Sequence, residues 1–126
     1  MPLRRTRALV FDEVVLDAVE HLESHWPGDL DGIDFAVDDV PAEVDRESVE
    51  FDPDVVADRG VALGRLTRAT PRKRPRPQDR PVIVIYRRPV EARSLPGEER
   101  SQLVFAVVAE LVAQLNGKDP ADLHVD

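Results

Sequence analysis

Three groups of residues in this chain have the types and spacing to do chemistry. His21 and His25 stand four apart in HLESH. On a helix that spacing puts both imidazoles on one face, where they can chelate a metal ion. Glu110 is a lone acid in the apolar stretch VFAVVAELVAQLN, where a carboxylate can act as a base, a ligand contact or half of an ion pair. Arg72-Lys73-Arg74-Pro75-Arg76 is a cationic run that suits an anionic partner. Asp119 and His124 could add a carboxylate and an imidazole near the end of the sequence. Each group also has a plainer account. A histidine near a helix C-terminus interacts favourably with the dipole. Asp119, directly before Pro120, reads as a cap, and Glu110 reads as the partner of a loop arginine.

Bulk properties narrow the field. A chain of 126 residues fits one domain, 1–126, with a modest core. It contains no cysteine, which excludes disulfides and thiolate metal sites. The longest apolar run, Leu103–Ala109, is far too short to span a bilayer, and no apolar signal core follows the basic start. A soluble cytoplasmic protein is expected. The net charge of −8 is unevenly spread. Residues 12–58 hold seventeen acids against Arg46 alone, whereas residues 65–93 hold ten basic residues against Asp79 and Glu91. Nucleic acid is not an expected partner, because the chain is acidic overall and the basic run has no aromatic stacking residue. The six glycines are scattered, so no phosphate loop is present, and neither Ser24 nor Ser101 sits in a nucleophile elbow.

Phe11, Val15, Ala18 and Leu22 recur at helical spacing and predict a helix from about Leu9 to Trp26, ended by Pro27-Gly28. Residues 33–37 alternate as a half-buried strand. Residues 38–59 read as an acidic surface loop with a short helical turn near Val55–Asp58. Val61 and Leu63, between Gly60 and Gly64, suggest a short or kinked strand. Residues 70–81, TPRKRPRPQDRP, read as an extended, flexible basic loop. Val82–Tyr86 is apolar on both faces, which suits an interior strand, and Arg87-Arg88-Pro89 stops it. A last helix runs from Pro96-Gly97-Glu98-Glu99 to about Asn116. It is apolar over most of its girth and closed by Gly117.

In this order of elements, and in the segments PVIVIYRRPVEARS and AELVAQLNGKD, the chain resembles the minimal bacterial zincin-like metallopeptidases. The likeness implies an α+β fold with two main helices packed on a small twisted sheet of three to four strands. Active members carry H-E-x-x-H-x-x-G-x-x-D, in which the histidines and the last aspartate hold zinc and the glutamate acts as general base. On that pattern the histidine positions fall on Ala109 and Ala113, the base on Glu110, the glycine on Asn116 and the aspartate on Asp119. The chain is thus a degenerate member, with Glu110 a vestigial base and Ala109, Ala113 and Asp119 lining the former cleft. Two methyl groups supply no lone pair, so no metal cofactor is expected here, although zinc is in active relatives.

The leading functional expectation is a domain that has lost zinc and catalysis and binds an extended peptide or protein by strand addition. The alternative is an active zinc metallopeptidase whose non-standard ligand set draws on His21, His25, His124, Glu110 or Asp119. An anion-binding adaptor working through the arginine loop is a third.

Overall fold

The computed structural model describes residues 7–42, 46–68 and 80–118. The expected basic loop at 70–81, apart from Arg80 and Pro81, lies outside them, as do Asp119, His124 and the terminal turn. The described elements are α1 (Arg7–His25), β1 (Asp34–Asp38), α2 (Arg46–Phe51), β2 (Val55–Asp58), β3 (Val61–Thr67), β4 (Val82–Tyr86), α3 (Arg87–Ala92) and α4 (Glu98–Asn116). The architecture is α+β.

The four strands form one mixed sheet in the order β1-β4-β3-β2. β1 runs parallel to β4, and the other two pairings are antiparallel. β4 is interior, as its double-sided apolarity predicts. Ile83 and Ile85 join the large core with α1 and α4, whereas Tyr86 and, partly, Val84 belong to a smaller cluster with Val49 and Ala62. The alternation of β4 thus feeds the two layers of core in turn.

The helices follow from their stripes. Phe11, Val15, Ala18 and Leu22 are all buried, and Val104, Val107, Val108, Leu111 and Val112 meet them from α4. Gly64 is where α4 lies closest to the sheet. A Cβ there would fall 2.7 Å from Val107 Cγ1 and 3.0 Å from Leu111 Cδ1, with the Val84 carbonyl behind it at 3.1 Å. Gly117 ends α4 in the left-handed region at φ 68°, the conformation that a glycine cap accommodates without steric penalty.

Two local expectations are corrected. Val55–Asp58 is a strand and not a helical turn. Its β propensity is satisfied by pairing with β3, a contact that local periodicity cannot reveal. The 38–59 segment also contains the one-and-a-half-turn helix α2. The strand at Val61 is a full seven residues, and its kink is a bulge. Val56 pairs with Gly64 and Ala57 with Ala62, so Leu63 is skipped. The extra residue lets Leu63 join the large core while Ala62 faces the small one. Finally, Arg87-Arg88-Pro89 does stop β4, by starting the helix α3. Proline is tolerated there because first-turn N–H groups have no intrahelical acceptor. Arg87 then bridges Asp39 and Glu91, each at 3.0 Å, tying α3 to the end of β1.

Candidate functional site

Among the described residues β2 is an edge strand, paired with β3 alone. It is held at both ends. At its head, the Arg68 guanidinium grips Asp54 with two hydrogen bonds, 2.9 Å to Oδ2 and 3.0 Å to Oδ1, and Gln114 of α4 donates to Oδ1 at 3.4 Å. At its tail, Arg93 donates to Asp58 Oδ2 at 2.8 Å and to the Asp58 carbonyl at 3.3 Å. The hydrogen bonds from Arg68 hold the Asp54 carboxyl below the usual carboxylate range and push Arg68 up. Neither pair was legible in the sequence. The partners are 14 and 35 residues apart, and no local pattern links an acidic segment to arginines that distant.

Between these clamps two hollows line the strand. One, of about 340 Å³, lies among Glu50, Ala57, Asp58, Arg59 and Glu110; the other, of about 170 Å³, lies among Pro53, Leu111, Gln114, Lys118 and Glu110. Both include Val55 and Val56. Glu110 stands at their junction. Its side chain is exposed and, among the described residues, has no ion-pair partner. The arginines of the 70–81 loop that the plainer account pairs with it, Arg80 apart, lie outside the described residues. The last helix thus lies beside the edge strand, with Glu110 lining the hollows along it.

The neighbouring family positions are different. Ala109 is 4% exposed and Ala113 is fully buried, and both belong to the large core. At about 100° per residue, Glu110 is turned roughly 100° from Ala109 and 60° from Ala113. The acid therefore looks outward while both methyls are enclosed. An imidazole at either alanine position would have to displace packed side chains.

His21 and His25 lie on α1, on another side of α4. Their rings are 4.9 Å apart, and His21 also packs 4.9 Å from Phe105. Phe105 and Glu110 are separated by about 140° around α4, so the histidines and Glu110 do not share a site. Among the described residues no three His, Cys, Asp or Glu side chains are grouped to hold a metal ion.

Zinc can be tested against this donor set. A catalytic zinc site uses about three protein ligands and one open position. At the two histidine positions stand buried methyl groups with no lone pair. The residues present at these positions do not fit the ion.

Among the described residues no helix is long and apolar enough to cross a membrane. A search of curated proteins gave no match to this chain. A family model for zincin-like metallopeptidases does match, over residues 30–126, which includes the whole sheet, the clamped edge strand and the helix bearing Glu110. The α+β architecture is that of the matched family, and the chain belongs to the zincin-like metallopeptidases.

Proposed function

We propose that this chain is a zincin-like domain that binds an extended peptide or protein segment along the free edge of β2 without cleaving it. The observation that carries the reading is the position of Glu110: exposed, and facing an edge strand clamped at Asp54 and Asp58. An edge strand offers a row of backbone donors and acceptors to an added chain, and that attraction needs no metal. Hollows on either side of Glu110 can take alternate side chains of the bound segment.

Loss of hydrolysis is part of the proposal and rests on chemistry. Without a Lewis acid, a water molecule keeps a pKa of about 15.7 rather than about 7. Glu110 then has no metal-activated water to deprotonate. Its carboxylate is better suited to contacting a bound segment, by accepting backbone N–H bonds or pairing with a cationic side chain.

The experiment is selection of binders from a randomised peptide library, followed by amide hydrogen exchange of the complex. The expected result is intact peptide and slowed exchange in Val55–Asp58. Binding that leaves those amides unchanged rejects the edge-strand mode. Peptide cleavage that is stimulated by added zinc and lost in Glu110→Gln rejects the absence of catalysis.

A further inference from the structure

We infer that His21 and His25 form a two-imidazole site for a late-transition divalent cation, of which Cu2+ is the strongest binder. The site is separate from the β2 edge and lies outside the segment, 30–126, that the family model matches.

Ring placement is the first argument. Two imidazoles that bind one ion at about 2.0–2.1 Å in adjacent coordination positions bring their ring centres to roughly 5 Å of each other. The observed separation is 4.9 Å, with the planes tilted by 52°. The packing of His21 against Phe105 at 4.9 Å restrains one ring from the side of α4.

Protonation is the second. His25 Nδ1 lies 3.0 Å from the His21 carbonyl oxygen, which can only accept. Nδ1 therefore carries the hydrogen of that bond, which leaves the lone pair on Nε2 in the neutral ring. A ring N–H held by a carbonyl is the usual means by which a metal-binding histidine is oriented and its tautomer set. Ser24 Oγ donates to the same carbonyl at 2.6 Å and sits 3.2 Å from Nδ1, which fixes the arrangement further.

Field and access are the third. Both histidines are in the last two turns of α1, where unpaired carbonyls make the helix end negative and favour a bound cation. Asp17, one turn before His21 on the same stripe, adds a carboxylate to that field. His21 is exposed and borders an open hollow of about 490 Å³ that Phe105 and Glu98 also line. Water ligands can complete the coordination shell from that side. Imidazole donors select the later divalent ions, with Cu2+ above Ni2+ and Zn2+, and disfavour Mg2+.

The test is titration of the full chain with Cu2+, read by calorimetry and by electron paramagnetic resonance. One ion per chain is expected, with hyperfine splitting from two nitrogens and no displacement by excess Mg2+. Even loss of an outer hydrogen-bond partner weakens metal sites by about 10–100-fold. His21→Gln and His25→Gln should therefore each reduce affinity by at least about ten-fold, while Glu110→Gln leaves it unchanged. Equal affinity in both histidine variants, absence of the nitrogen splitting, or competition by Mg2+ overturns the site. His21 is exposed, so His21→Gln keeps the test decisive even if His25→Gln does not fold.

Discussion

The two edges of the sheet are built differently. β1 borders α1 across an apolar hollow of about 290 Å³ lined by Val15, Leu16, Val19, Phe35 and Val37. Asp34 and Asp38 stand at the ends of the strand, and Asp39 follows. Charges at the ends of an edge strand discourage a second chain from pairing there. β2 is flanked differently. Its acids Asp54 and Asp58 are engaged by Arg68 and Arg93, and the hollows beside it are lined by Glu50, Arg59, Glu110 and Gln114. One edge has an apolar flank, with Asp34 paired to Arg80 and Asp39 to Arg87 at its ends. The other also has paired end charges, but polar groups stand along its length.

The largest test of that contrast is to restore the family's ligands. Ala109→His with Ala113→His should lower stability by at least about 2–3 kcal/mol, because inserting large side chains into a packed core costs about 1–3 kcal/mol per site. Chemical denaturation measures this, and a double variant as stable as the parent would show that the helix side facing β2 is loosely packed. Gly64→Ala comes next. Its Cβ would press on Val107, Leu111 and the Val84 carbonyl, so a loss of about 1–3 kcal/mol is expected. Amide exchange should quicken in β2 and β3 more than in β1; uniform quickening would mean that the two edges are not independent.

The clamp at Asp54 gives a smaller, pH-dependent effect. Its carboxyl is held below its ordinary value by Arg68. The folded state therefore binds the proton more weakly than the unfolded chain does. The resulting stabilisation is present above the ordinary aspartate range near pH 3.9 and is lost as the pH falls through the lower, folded value. Asp54→Asn should be less stable than the parent at pH 7, by up to about 1 kcal/mol for so exposed a pair. The gap should narrow in acid, and a pH-independent gap in the urea midpoints would remove the ion pair as its cause. Arg87 lowers Asp39 in the same sense beside the other edge, so Asp39→Asn provides the matched comparison. Smallest in stability is Glu110→Gln, which should stay within about 0.5 kcal/mol of the parent while weakening peptide capture at β2. Leu16→Ser on the α1 face should leave that capture unchanged.

Much of the frame was legible from one sequence. The stripes of α1 and α4 announced their buried faces, Val82–Tyr86 announced an interior strand, and Gly117 announced a helix end. These signals are local, carried within a few turns or residues. β2, α2 and α3 were not legible in the same way. Val55–Asp58 is a strand because Arg65 and Gly64 pair with it, and α3 begins where a strand-stopping proline becomes a first-turn residue.

For the candidate site the division is similar. Which atoms stand at the family's positions is a matter of sequence alone: methyls at Ala109 and Ala113, a carboxylate at Glu110. A methyl has no lone pair in any fold. Which way those atoms face depends on how α4 is rotated against α1 and the sheet, and that rotation is set by packing at Gly64, Val107 and Leu111. Only the tertiary structure encloses the two alanines and leaves Glu110 beside the free edge. Burial depends on what lies across the gap, and those neighbours come from β2, β3 and α1, remote in the chain.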